Sequence, residues 1–311
     1  QSQYFKEKPV LEIALYEYGN DRLSDKDEYI RMVTNLTTDL DKISEDLFSL
    51  TTYGGSEYCG EVIKVAMEDL VWSKSETDLK LIFIAGNEDF NQGNTKYTEV
   101  CKVATENDLI VNTIFCGDYE EGIRIFWKDG AEIAGGKYMN IDQNMKTVYI
   151  ETPYDSLIID LSSKLNSTYI SYGSTGSEKK ERQKKQDSNA ATYGGSNTVE
   201  RAVSKSSVSY SNSEWDLVDA AKDDEGIIED LESEDLPEEL QGKTTEEITI
   251  YVNEKQTERE NIQNQINEVN KVREEYISEQ KKLNSEENSL DAVIIKAIRE
   301  QAELKGFTFE N

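Results

Sequence analysis

Residues 10–18, Val10-Leu11-Glu12-Ile13-Ala14-Leu15-Tyr16-Glu17-Tyr18, are rich in apolar and strand-forming types and stop at Gly19-Asn20-Asp21, which predicts a buried strand. A second extended piece is expected at Tyr29–Val33. From Asp39 to Leu50 the period changes: Leu40, Ile43, Leu47 and Leu50 recur three and four apart, the stripe of a helix lying on a sheet. Gly54-Gly55 closes that stretch, and Gly60–Trp72 reads as a further helix with Val62, Ile63, Ala66, Leu70 and Val71 on its apolar side. Leu79–Ala85 and Leu109–Phe115 are apolar without alternation, as strands covered on both faces are. Between them Tyr97–Glu106 is helical, and Glu121–Ala134 supplies another helix. Two short strands at Tyr138–Ile141 and Thr147–Ile150 and a closing helix at Tyr154–Tyr172 complete the alternation. That order predicts an α/β domain with a doubly wound, mostly parallel sheet, in which Val10–Tyr18, Leu81–Ala85 and Leu109–Phe115 lie side by side and point the same way.

After Tyr172 the pattern fades. Gly173–Asp187 is polar, holds five Lys or Arg and shows no core-forming stripe, so a boundary is expected there, between residues 1–172 and an all-α region at 173–311. Val199–Tyr210 and Trp215–Ala221 read as short helices, the second with Ser213 and Asp216 in capping positions. Pro237–Leu240 fits a turn or two of helix before Gly242. Thr244-Thr245-Glu246-Glu247 is a capping box opening a segment without Pro or Gly until Gly306. Along it Ile262, Val269, Tyr276, Leu283 and Leu290 stand seven apart, but Arg273 and Gln280 share the seam, so a self-sufficient coiled coil gives way to a helical hairpin. Its break is expected at Asn284–Asn288, with Leu290, Ile294, Ala297, Ile298 and Leu304 on the returning helix and Gly306 as its stop.

Charge narrows the partners. Among 311 residues, 63 Asp and Glu face 34 Lys and Arg, a net charge of -29, which repels nucleic acid and anionic lipid. No run reaches the roughly 20 apolar residues that span a bilayer, no signal-peptide pattern is present, and no membrane insertion is expected. There is no histidine, and the three cysteines, Cys59, Cys101 and Cys116, lack CxxC spacing, which excludes a structural zinc site. The missing histidine also removes the commonest general base near neutral pH, and the expectation is a non-enzyme. Cys59 and Cys116 fall at one edge of the expected sheet and could bridge, with Cys101 as the competing partner or all three as free thiols. Asn35-Leu36-Thr37 and Asn166-Ser167-Thr168 match the glycosylation acceptor pattern. Several of the 17 tyrosines, among them Tyr16, Tyr18, Tyr53, Tyr58 and Tyr119, lie near strand ends, where they either line a recognition cleft or complete the core.

Over residues 9–172 the segments resemble, in order, a von Willebrand factor A (VWA) domain. The marks are Ala14-Leu15-Tyr16-Glu17-Tyr18-Gly19-Asn20-Asp21, Gly54-Gly55-Ser56-Glu57 ahead of a helix ending Leu70-Val71-Trp72, and Leu81-Ile82-Phe83-Ile84-Ala85-Gly86-Asn87. Trp127-Lys128-Asp129-Gly130-Ala131 and Gly136-Lys137-Tyr138 are similar to the bacterial secreted variety with a helical tail. The resemblance implies a Rossmann-like sheet whose first, central strand and Asp-x-Ser-x-Ser loop have no counterpart in this sequence. It also implies Mg²⁺ or another divalent cation at the carboxyl ends of the strands, a metal ion-dependent adhesion site. Here Ser56 would supply a hydroxyl, Glu57 a supporting carboxylate, and Asn87 or Glu88 the place of the family's Asp in Thr-Asp-Gly. With two loops such a site is degenerate, weak and rich in water. The same glycines also suit a plain turn with Ser56 capping the next helix. A phosphate cradle is opposed by Glu57 and Glu61 and by the lack of Lys or Arg from Gly54 to Glu61.

The function these features imply is a protein-binding or adhesion module of the bacterial cell envelope or extracellular space, with a protein ligand met at the carboxyl edge of the sheet. Two alternatives stand beside it: a structural scaffold acting through its helices, and a hydrolase using the Gly54–Glu57 loop with Glu57, Glu88 or a Cys59 thiolate.

Overall fold

The computed structural model describes residues 10–51, 53–141, 149–284 and 290–309. In chain order they form β1 (Ile13–Tyr18), β2 (Ile30–Thr37), α1 (Leu40–Ser49), α2 (Cys59–Asp69), β3 (Leu81–Gly86), α3 (Tyr97–Glu106), β4 (Ile110–Phe115), α4 (Tyr119–Arg124), α5 (Trp127–Ile133) and β5 (Tyr138–Asn140). Then come α6 (Asp155–Asn166), α7 (Gly176–Tyr193), α8 (Gly195–Ser206), α9 (Leu217–Asp223), α10 (Ile227–Asp230), α11 (Thr245–Asn284) and α12 (Leu290–Leu304). The strand expected at Thr147–Ile150 and the helix break at Asn284–Asn288 fall mostly outside the described residues. No described helix is long and apolar enough to cross a membrane.

Two compact units result, and their division is not at residue 172. Residues 1–37, 49–148 and 286–311 make one, residues 38–48 and 149–285 the other. The first is mixed α/β. In its three-stranded parallel sheet, ordered β3-β4-β5, Leu81 to Gly86 match Ile110 to Phe115, and Thr113 to Phe115 match Tyr138 to Asn140. α2, α3 and α5 cover one face of the sheet with Val62, Ile63, Val100, Cys101, Ala104 and Trp127.

The expectation that Val10–Tyr18 runs parallel beside β3 and β4 is corrected. β1 pairs antiparallel with β2, Tyr18 opposite Ile30 and Ile13 opposite Thr37, in a separate two-stranded sheet. The cause is the connection: Gly19, at φ +70°, donates its N–H to Tyr29 O at 3.1 Å, and so short a link cannot make the crossover that parallel strands need. β1 and β2 still share the core of the parallel sheet through Tyr16, Tyr18 and Ile30.

The returning helix is also placed differently. α12 belongs to the α/β unit and packs on β5; its Gln301 exchanges amide hydrogen bonds of 3.2 and 2.8 Å with Asn112 of β4, and its Lys305 reaches Asp108 at 2.6 Å. Its stop is as read: Gly306 sits at φ +86° while Phe307 N–H returns to Ala302 O.

The second unit is helical. Ile158, Leu161 and Leu165 of α6, Val199 and Ala202 of α8 and Ile262 and Ile266 of α11 form one core with Tyr169, Tyr210 and Trp215; Ile170, Leu217, Val218, Leu240, Ile248 and Val252 form another. The Thr244 capping box closes in both directions, Glu247 N–H to Thr244 Oγ1 at 3.2 Å and Thr244 N–H to Glu247 Oε2 at 2.8 Å. Asp216 caps α9 by accepting Asp219 N–H at 3.0 Å.

Here lie two further corrections. The polar run expected to mark a boundary is helical from Gly176 to Asp187 and makes up most of α7, and α1 lies in the helical unit rather than on the sheet. Charge joins them. Arg182 of α7 meets Asp39 at 3.4 Å and Glu45 at 3.1 Å, and Arg201 of α8 binds Asp41 and Asp187. The buried positions of α7 are Gln183, Gln186 and Ala190 besides Gly176, which is why no apolar stripe announces it.

Lys205, fully buried, bonds Asp187 at 2.7 Å and Asn166. Both polar atoms of the Asn166 amide are thereby engaged, one with Lys205 and the other with Asp187. Burial alone would raise the Asp187 pKa, but Lys205 and Arg201 outweigh it and hold the carboxyl below its ordinary 3.8. An acid held low in the fold contributes stability that is present above the unfolded value and lost as pH falls through the folded one. The denaturant midpoint of the wild type is therefore expected to exceed that of Asp187→Asn at pH 7 and still at pH 4, the gap closing only below pH 3.8. A gap already halved at pH 5 would contradict this.

Candidate functional site

The carboxyl ends of β1 and β3 and the start of α2 carry the loops that the sequence singles out. After β1 come Gly19 to Arg22; ahead of α2 come Gly54 to Tyr58; after β3 come Asn87 to Gln92. Loop meets loop directly, since a Cβ on Gly55 would lie 2.2 Å from Asp21 Oδ1. Ser56 is half-buried, Glu57 half-buried, Asn87 and Glu88 exposed.

Glu57 ties these loops together. Its Oε2 accepts the backbone N–H groups of Asn87 at 3.0 Å and Glu88 at 3.1 Å, while its own N–H is donated to Gln92 Oε1 at 3.1 Å. Gln92 Nε2 then reaches Glu88 Oε2 at 3.2 Å, and Trp127 Nε1 donates to Glu88 O at 2.8 Å. The Gly54–Glu57 and Ala85–Glu88 loops thus meet through the backbone of Asn87 and Glu88 rather than through their side chains. Ser56 does not cap α2, whose N-cap is Tyr58 without a side-chain bond.

Gly86 is required at the junction. A Cβ there would stand 2.3 Å from Glu57 Oε2 and 2.7 Å from Tyr18 Oη. The Tyr18 hydroxyl donates to Ala85 O at 2.8 Å and lies 3.8 Å from Cys59 Sγ. Burial, then the nearby Cys59 and Glu57, push the Tyr18 hydroxyl well above the ordinary tyrosine value. Burial likewise raises the Cys59 thiol and takes Cys101 up to about 12. All three cysteines are free, Cys59 and Cys101 wholly buried and Cys116 half-buried, so neither of the disulfides considered is formed. Glu57 is raised by burial, and the two N–H groups oppose that shift.

Ser56, Glu57, Asn87 and Glu88 offer oxygen donors of the kind a hard cation takes. The facing oxygen of Glu57 is already committed to two N–H groups and Glu88 to Gln92, so an ion would have to displace the protein's own bonds. Among the described residues no group of three or more Cys, Asp or Glu side chains is placed to hold a metal. Gln92 was not legible as part of the site: a lone glutamine in a polar loop has no spacing to mark it. The aromatic rim was partly legible, with Tyr53 under the Arg22 guanidinium at 3.2 Å and Tyr119 exposed.

Fold and site together define a mixed α/β protein with a three-stranded parallel sheet, loops locked at its carboxyl edge, and a helical region toward the C-terminus. Comparison with protein-family models, with curated proteins and with solved structures found no match.

Proposed function

We propose that this chain is a non-catalytic protein-binding module, built on the plan of a VWA domain, that meets a protein ligand with the loops after β1 and β3 and ahead of α2. The observation that carries the proposal is the Glu57 clasp. It preorganises the loop of Asn87 and Glu88 by committing one Glu57 oxygen to their backbone N–H groups, beside the stacked pair of Arg22 and Tyr53. Exposed tyrosine and arginine at such an edge suit protein recognition.

The VWA plan draws support from the parallel order of β3, β4 and β5 with helical crossovers. Beside that sheet the antiparallel pair of β1 and β2 shares its core, and the Tyr18 hydroxyl at the end of β1 donates to Ala85 O of β3. A divalent cation and a setting in the envelope or outside the cell belong to the same proposal and rest on the resemblance alone. The hydrolase alternative would need a thiolate at Cys59, whose thiol burial holds in the neutral form, or a carboxylate at Glu57 freed from its clasp.

The test is capture by reversible crosslinking with the intact chain. A partner caught by the wild type should be lost at least tenfold in Asn87→Ala/Glu88→Ala and in Tyr53→Ala, and kept in Glu275→Ala/Glu279→Ala on α11. Loss confined to the α11 variants would overturn the proposal in favour of the helical scaffold, and turnover of any substrate abolished by Glu57→Gln would overturn it in favour of an enzyme.

A further inference from the structure

At the amino ends of β3 and β4, away from the loops just described, α2 and α3 flank an open groove of about 1030 Å³. Its walls are helix faces read at spacings of three and four: Lys64, Met67, Glu68 and Val71 from α2 and the residues after it, Lys96, Val100, Val103 and Asn107 from α3 and its end. Trp72 lies between them, its indole N–H fixed on Ala66 O at 2.9 Å. Val71 is 84 % exposed and Val103 44 %, and half-buried Met67 and Trp72 line the same groove. Scattered apolar residues on a surface are ordinary; several lining one groove are not.

Charge decides what such a groove would take. Three lysines in the lining are neutralised within the wall: Lys64 by Glu61 at 3.0 Å, Lys80 by Asp108 at 3.1 Å, and Lys96 by Glu99 at 3.5 Å. Glu68, Glu76 and Glu106 are exposed and, among the described residues, form no ion pair; against these three carboxylates stand Lys74 and Lys305, the latter sharing Asp108 with Lys80 and reaching Glu76 O at 2.9 Å. The groove therefore pairs an apolar floor with a surplus of carboxylates on its rim. That favours an occupant with an apolar stripe and a basic flank.

We infer that the α2–α3 groove is a second docking surface, distinct from the carboxyl-edge loops, which seats a short amphipathic helix carrying Lys or Arg from a partner protein. Two adjacent helices present a groove into which a third helix lays its ridge, and anchors at i, i+3, i+4 and i+7 would reach Met67, Val71, Trp72 and Val103. The ten residues of α3 span about 15 Å, the length of some three turns. The basic positions of the occupant would then stand over Glu68, Glu76 and Glu106.

A fluorescein-labelled fourteen-residue peptide of leucine and lysine in helical register serves as the probe (about four turns), read by fluorescence anisotropy with the intact chain at about 0.15 M salt. Binding should weaken at least tenfold in Val71→Asp and in Glu68→Lys/Glu106→Lys. It should change less than twofold in Glu275→Lys/Glu279→Lys, which alters charge by the same amount on α11. The matching peptide of leucine and glutamate should bind at least tenfold more weakly than the lysine peptide. Equal losses in the groove and α11 variants would overturn the inference, since attraction to net charge alone would explain them. So would undiminished binding to Val71→Asp, a substitution at a side chain exposed enough to leave folding intact.

Discussion

Replacing Arg259 by alanine is expected to destabilise the helical unit by about 3–5 kcal/mol, the range for stripping one partner from a buried ion pair. Arg259 and Asp216 are 4 % and 0 % exposed at their side chains. The guanidinium donates to Asp216 at 2.6 and 3.2 Å, to Asp219 at 2.7 Å, to Thr168 Oγ1 at 3.0 Å and to Thr168 O at 2.7 Å, and it stacks 4.1 Å above the Tyr169 ring. Asp216 in turn accepts Ile170 N–H at 2.7 Å and caps α9. Alanine leaves that buried carboxylate without its cation. The double variant Arg259→Ala/Asp216→Ala should cost clearly less than the sum of its singles, because the second change removes the stranded charge. Urea unfolding followed by helical circular dichroism measures both. A single-variant cost below about 1 kcal/mol, or simple additivity, would show that the pair adds nothing beyond its separate contacts.

The α/β unit has its counterpart in Trp127. Alanine there should cost about 3–5 kcal/mol, the range for deleting a buried aromatic ring. Trp127 is fully buried, 4.9 Å from the Phe90 ring in an edge-on contact and 5.7 Å from Phe115. Its indole N–H holds Glu88 O, and its carbonyl accepts the Thr113 hydroxyl at 2.8 Å. The loss should therefore reach the site as well as the core: amides of Asn87 and Glu88, pinned by Glu57 on one side and by Trp127 on the other, should exchange faster by at least tenfold. Trp127→Phe should recover much of the stability and little of the amide protection, since it keeps a ring but no donor. Unchanged exchange at Asn87 and Glu88 in Trp127→Ala would mean that Glu57 alone orders the loop.

Local periodicity located nearly every element, because each reflects a face that must be buried. The stripes of α2 and α3, the continuous runs of β3 and β4, the Thr244 capping box and the Gly306 stop are all statements about neighbours within a few residues. The Gly54–Glu57 and Ala85–Glu88 loops were paired in the sequence only by the resemblance, since one stands ahead of a helix and the other at a strand end and no period links them. The clasp between them was not legible. It joins a side chain to the backbone of residues 30 and 31 positions away, and a backbone N–H leaves no mark in a sequence.

Partnership is what only the tertiary structure decided. Leu40, Ile43 and Leu47 announce a helix, but the acidic flank of α1 sends it to Arg182 and Arg201 rather than to the sheet. The run Gly173–Asp187 looks like a boundary because its buried side chains are glutamines and its arginine is held by carboxylates more than 130 residues earlier in the chain. Arg259 and Arg273 interrupt the apolar seam of α11 for the same reason, each meeting a buried Asp from another element. An apolar side chain needs only to leave water, and its pattern shows in its own segment; a buried charge needs one particular partner, and that partner is chosen by the fold.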